Sequence, residues 1–232
     1  MRKLGLIGGM SWVSTETYYR IINQQIQKRV GGMCSAPLVV ESLNFCDLSR
    51  IETDEQWAHA TEALKASAKR LEKAGATAIL ICANSMHKVY DEVQKSVKIP
   101  ILHIVDAIGA KMQADGVQNA ALIGTHNVMT GKWYRQRLVG HGISLKTVGD
   151  GEAEKIDKII YDDLMFGRVT RDAERELKTY ITNIDQADFD AVVLGCTELD
   201  LIVDTKANVL PIYDSTELHA LAGVEWILGD AP

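Results

Sequence analysis

Short, wholly apolar runs alternate along this chain with longer segments whose apolar residues recur at helical spacing. The runs predict strands near residues 3–8, 37–43, 78–82, 100–104, 119–124, 143–148, 189–195 and 210–213. Between them the helical signals are specific. Thr53 with Gln56 forms a capping box, Trp57, Ala60, Leu64, Ala68 and Leu71 share one apolar face, and Gly75 stops the helix. Ser14 reads as the N-cap of a helix through Ile21, Ile22 and Ile26 that ends at Gly31-Gly32. Ala173, Leu177, Tyr180 and Ile184 make a second such face, and a last helix covers Ser215 to Leu228. Strands that alternate with helices in this way predict βα units around mostly parallel sheets.

The pattern is written twice. Ala78-Ile79-Leu80-Ile81-Cys82-Ala83-Asn84-Ser85 is echoed by Ala191-Val192-Val193-Leu194-Gly195-Cys196-Thr197-Glu198, and Lys3-Leu4-Gly5-Leu6-Ile7-Gly8-Gly9 by Asn119-Ala120-Ala121-Leu122-Ile123-Gly124-Thr125. A third echo pairs Pro100-Ile101-Leu102-His103 with Pro211-Ile212-Tyr213-Asp214. The spacing holds: Gly8 to Ala83 is 75 residues and Gly124 to Cys196 is 72. A period this long predicts a doubled domain, since solenoid repeats run to about 20–50 residues. The expectation is an α/β protein of two similar domains related by a pseudo-twofold axis, each with a mostly parallel four-stranded sheet. One domain comprises residues 1–108 plus 216–232, the last helix returning to it, and the other 109–215. Such symmetry would bring Ala83 and Cys196 to one cleft from opposite sides, an arrangement suited to chemistry on two faces of one carbon.

In open parallel sheets, ligands sit beyond the carboxyl ends of the strands. Here those ends carry Gly8-Gly9-Met10-Ser11, Asn84-Ser85-Met86-His87, Thr125-His126 and Cys196-Thr197-Glu198, which favours a carboxylate ligand. Charge agrees with a small molecule: 25 Lys and Arg against 31 Asp and Glu give a formal net charge of −6, with no basic run to suit nucleic acid. The apolar stretch behind Arg2 and Lys3 is too short for a signal peptide or a membrane span. Four scattered cysteines without a CxxC exclude a disulfide framework and a zinc knuckle, and suit a reducing cytoplasm. No paired histidines show metal spacing, and neither G-x-G-x-x-G nor a P-loop occurs.

Cys196 reads as a base or nucleophile, with a following helix N-terminus favouring thiolate, or as a small buried hydrophobe. Cys82, one residue before Ala83, should point to the other side of the pleat and into the core. Asn84, Ser85 and Thr197 can hold a carboxylate or cap helices, and His87 reads as a hydrogen-bonded structural residue or an auxiliary acid or base.

Gly8-Gly9-Met10-Ser11-Trp12, Asn84-Ser85-Met86-His87-Lys88 and Gly195-Cys196-Thr197-Glu198 resemble the aspartate/glutamate racemase family, most closely its broad-specificity amino-acid racemase branch, over essentially the whole chain. The resemblance implies two similar α/β domains with the active site between them, an amino-acid substrate, no pyridoxal phosphate or other cofactor, no metal, and a homodimer. It also implies two-base racemisation through a planar carbanion. By position Cys196 is one base; Asn84, Ser85 and Thr197 hold the carboxylate; Met10 and Ser11 form the cleft floor; Met86 and Glu198 complete the substrate-binding set. The family usually has cysteine, in this branch sometimes threonine, where this chain has Ala83, which carries no transferable proton. A neighbour such as Ser85, His87 or an ordered water replaces it, or the chain performs one-base chemistry, or it binds without turnover. Arylmalonate decarboxylases, single-cysteine relatives, make decarboxylation an alternative. Met165 stands where some acidic-substrate racemases carry a basic residue, while Arg50 could read a side-chain carboxylate.

Overall fold

The structure, a computed structural model, describes residues 1–146, 150–185, 189–204 and 210–229. The chain divides into two compact units, residues 1–104 with 219–232 and residues 105–218.

The first unit contains β1 (Leu4–Gly8), α1 (Trp12–Val30), β2 (Leu38–Ser42), α2 (Asp54–Lys73), β3 (Ala78–Ile81), α3 (Tyr90–Gln94) and β4 (Ile101–Leu102). Its four strands are all parallel in the order β2-β1-β3-β4. The capping box at Thr53 and Gln56 is present at the start of α2. Trp57, Ala60, Leu64, Ala68 and Leu71 of that helix pack with Ile79, Ile81 and Ala83 on one face of the sheet. The other face buries Ala78, Leu80 and Cys82 with Tyr18, Ile22 and Ile26 of α1. Alternation along β3 thus separates Cys82 from Ala83, as the period of two requires. Fully burying side chains of this size stabilises by about 1.5–3 kcal/mol each, which is why consecutive residues of a central strand are all apolar.

The second unit follows the same plan with α4 (Ile104–Ala114), β5 (Asn119–Gly124), α5 (His126–Thr130), α6 (Lys132–Val139), β6 (Ser144–Lys146), α7 (Asp150–Asp162), α8 (Arg171–Asp185), β7 (Ala191–Gly195), β8 (Ile212–Asp214) and α9 (Ser215–Leu228). Its strands, again all parallel, run β6-β5-β7-β8. The register repeats as well: Ile7 pairs with Ile81 in the first sheet and Ile123 with Leu194 in the second. Val192, Leu194 and Cys196 pack against Ala173, Leu177, Ile181 and Ile184 of α8, the counterpart of α2. From His219 onward α9 belongs to the first unit, where Ala220, Val224 and Ile227 join the core beneath Leu4 and Leu80.

Three local expectations are corrected. The strand expected over 100–104 is only Ile101–Leu102, because α4 takes over at Ile104. Ser11, not Ser14, is the N-cap of α1; Ser14 lies in the first turn and donates its backbone N–H to the Ser11 side chain. The strand expected over 143–148 covers Ser144–Lys146, and residues 147 and 148 lie outside the described residues.

Beneath β4, His219 is fully buried, donating from Nε2 to the Leu102 carbonyl at 2.9 Å and accepting at Nδ1 from the Tyr18 hydroxyl at 2.8 Å. Burial is what favours the neutral ring, lowering its pKa from 6.5 to about 4 against the opposing pull of the Leu102 carbonyl. As pH falls, the unfolded chain takes up this proton first. The neutral ring's contribution is therefore complete above pH 6.5 and is lost as pH falls toward 4. Urea denaturation is expected to show a loss of roughly 2–3 kcal/mol between neutral pH and about pH 4.5 from this residue. His219→Gln should lack that increment; an identical pH dependence in parent and variant would contradict it.

Candidate active site

In each sheet the chain turns to opposite sides after its central pair, so the carboxyl ends of β1 and β3, and of β5 and β7, are the switch points where ligands bind in this class of fold. The two ends are built differently.

After β1 the chain turns at Gly9, whose φ of +85° and closeness to Leu43 exclude a side chain: an added Cβ would lie 2.1 Å from the Leu43 carbonyl oxygen. The Gly9 N–H donates to Thr15 Oγ1 at 2.7 Å, and that hydroxyl donates to the Ser11 carbonyl at 2.9 Å. Ser14 Oγ contacts both the Ser11 and the Cys82 carbonyl oxygens, at 3.0 and 3.3 Å, tying the start of α1 to the end of β3. Met10, Ser11, Ala83 and Asn84 are consequently drawn to one strand edge, all nearly buried. Asn84 begins a short 3-10 helix, Ser85–Val89, without capping it through its side chain. Ser85 is half-buried and Met86 buried in the α2-side core. Arg50 is exposed in the loop after β2, with a left-handed backbone at φ 49° that is uncommon outside glycine.

His87 is buried, its Nε2 3.2 Å from the Ile81 carbonyl oxygen. Its ring lies 4.4 Å from that of His103 and 5.4 Å from that of His219. Sequence reasoning did not find this three-histidine cluster. Residues 87, 103 and 219 share no local spacing, and only strand pairing and the return of α9 collect them.

At the second end Cys196 is buried and donates its thiol hydrogen to Glu198 Oε2 at 3.1 Å. Thr197 Oγ1 donates to the same oxygen at 2.7 Å. Burial pushes the Cys196 thiol pKa well up, the Glu198 charge adds to this, and the more distant Asp157 on α7 acts in the same sense. The Glu198 backbone N–H opposes them by favouring the sulfur anion. The expected helix N-terminus is absent here: a three-residue 3-10 turn, Leu199–Leu201, follows, and its few amides do not outweigh burial beside a carboxylate. The sulfur therefore rests as a thiol. Cys82 is also held as a thiol, by burial alone.

Two further residues lie at this end, Thr125, already named among the polar strand ends, and Asp157, which the sequence reading did not single out. Thr125 Oγ1, closing β5, is buried and finds no hydrogen-bond partner among the described residues. Asp157 accepts the His126 N–H at 2.7 Å. Its place on the helical face of Ala153, Ile156 and Ile160 was the available signal. Met165 is half-buried against the α7–α8 core. Among the described residues no three His, Cys, Asp or Glu side chains converge as a metal site, and no helix is long and apolar enough to cross a membrane.

A family model for Asp/Glu/hydantoin racemase matches residues 7–223. The chain belongs to that family. This racemase-family chain is 24% identical over 230 residues to the broad specificity amino-acid racemase RacX of Bacillus subtilis (strain 168), covering 97% of this chain and 98% of that protein. Its structure is similar to the crystal structure of a proposed Asp/Glu racemase from Yersinia pestis, with a TM-score of 0.89 at 35% identity over 98% of this chain and 100% of that one. It is also similar to an aspartate racemase homologue from Pyrococcus horikoshii OT3, with a TM-score of 0.84 at 30% identity over 98% and 99% of the two chains.

Proposed function

We propose that this protein is a cofactor-independent amino-acid racemase or epimerase in which Cys196 exchanges a proton with one face of the α-carbon and position 83 faces the other. The observation that carries the reading is equivalence of place. Ala83 lies two residues beyond Ile81, which pairs with Ile7; Cys196 lies two beyond Leu194, which pairs with Ile123; and each packs on the same face of its own sheet. Two equivalent strand ends, one with a thiol and one with a methyl group, suit a symmetric two-face reaction that has lost one of its proton carriers.

On this reading the substrate carboxylate is held by Ser11, Asn84 and Ser85, by backbone amides at the strand ends and by Thr197 once its hydroxyl turns from Glu198, with Thr125 as a further donor. Met10, Met86 and Glu198 shape the site, and Arg50 reads the side chain. Such donors lower the cost of the planar carbanion by accepting its developing charge in a site closed to water. With Ala83 opposite, Ser85, His87 or a water would serve the second face, and inversion would be slow. A homodimer in the cytoplasm completes the proposal.

A second reading is favoured by the resting thiol: a decarboxylation whose carbanion is protonated by Cys196 alone. Chiral chromatography of a panel of single-enantiomer amino acids, with carbon dioxide measured in parallel, distinguishes the two. Formation of the opposite enantiomer without carbon dioxide supports racemisation. Carbon dioxide release from an amino acid or a malonate supports the second reading, and neither product across the panel would leave an amino-acid binder.

A further inference from the structure

The convergence of two donors on one carboxylate oxygen gives Glu198 a task distinct from contact with substrate. We infer that Glu198 is the positioning residue of Cys196, aiming its sulfur and exchanging its proton so that thiol and carboxylate work as a single one-proton unit. This deepens the racemase reading and takes its substrate from it. The geometry itself belongs to the chain.

Cys196 Sγ lies 3.1 Å from Glu198 Oε2, and the Thr197 hydroxyl reaches the same oxygen at 2.7 Å. All three residues are nearly fully buried: Cys196 at 5%, Thr197 at 4% and Glu198 at 1% exposure. The charged groups felt by the sulfur are Glu198 and, from α7, Asp157, both negative. Releasing the thiol proton to solvent would leave two anions side by side away from water, the arrangement like charges resist most. Transfer within the pair avoids this. The S–H bond breaks with its electron pair staying on sulfur, an O–H bond forms at Oε2, and the single negative charge moves from carboxylate to sulfur. The Glu198 backbone N–H, which favours the sulfur anion, then stabilises it. The thiolate needed to remove an α-proton thus arises without a second charge entering the site. In the resting state the same sulfur holds a proton ready to give. Glu198 is two residues from Cys196, and its side chain returns to the sulfur across a tight turn closed by the Leu199 N–H donating to the Cys196 carbonyl at 3.2 Å.

The test reads the sulfur directly and needs no turnover, so its failure is distinguishable from failure of the racemase reading. Thiolate ultraviolet absorbance is titrated from neutral pH to about pH 10, each protein being subtracted against its own Cys196→Ser counterpart to remove the other cysteines and the tyrosines. The parent should show a midpoint above the ~8.5 of a free cysteine thiol. Glu198→Gln keeps the shape and removes the charge, and should raise the thiolate fraction at a fixed pH below both midpoints by about tenfold or more. Thr197→Val is a second arm if Glu198→Gln does not fold. Removing the competing hydroxyl leaves Oε2 a stronger acceptor of the thiol, and the midpoint should rise. A parent midpoint at or below the free-thiol value, an unchanged midpoint in folded Glu198→Gln, or a lowered or unchanged midpoint in Thr197→Val would overturn the inference.

Discussion

Cys196→Ala is expected to reduce turnover of the amino-acid substrate by roughly two to four orders of magnitude, the usual effect of removing a positioned acid or base. The variant should fold. Removing one sulfur atom from a residue packed against Leu194 and the α8 face leaves a small cavity and takes one of two donors from the buried Glu198 carboxylate, a cost of about 1–3 kcal/mol. Binding of substrate, followed by calorimetry, should survive, because the proposed carboxylate donors are hydroxyls and amides. Retention of full turnover in Cys196→Ala would move the chemistry away from β7.

Ala83→Cys should have the second largest effect, in the opposite direction: inversion of at least one amino acid should rise by roughly 10²-fold. The substitution supplies a proton carrier at the register position equivalent to Cys196, and Ala83→Thr should give a smaller gain because a hydroxyl is the weaker base at neutral pH. Ala83 is buried in the α2-side core, so the added atom is expected to cost about 1–3 kcal/mol, visible in urea denaturation. A folded Ala83→Cys with no gain across a broad amino-acid panel would contradict the two-face proposal.

The residues show why some of this was legible beforehand. All-apolar central strands and long helices with a single apolar stripe leave their period in the sequence, so both sheets, the α2 capping box and the opposite facing of Cys82 and Ala83 were readable from spacing. Duplication helped, because each half checked the register of the other. The start of α1 was misread by three residues because both serines suit a cap. The choice between them is made by Thr15 bonding Gly9 and by Ser14 reaching across to the end of β3. Non-local contacts left no pattern at all: the buried histidines at 87, 103 and 219 meet only in the folded unit. The expectation of a helix N-terminus after Cys196 failed for a related reason. Whether a strand is followed by a helix or by a tight turn, here closed by the Leu199 N–H on the Cys196 carbonyl, that leaves Glu198 beside the sulfur is not encoded in hydrophobic periodicity.

The most direct measurement is made on the parent protein with each enantiomer of a turned-over amino acid in deuterium oxide, following α-deuterium by NMR and inversion by chiral chromatography. With a proton carrier on one face and a methyl group on the other, one enantiomer should take up deuterium with retention at least roughly tenfold faster than it inverts, and its mirror image should exchange slowly. Equal exchange of both enantiomers, with inversion accompanying every exchange, would show a second base of matching strength and contradict the assignment of positions 83 and 196.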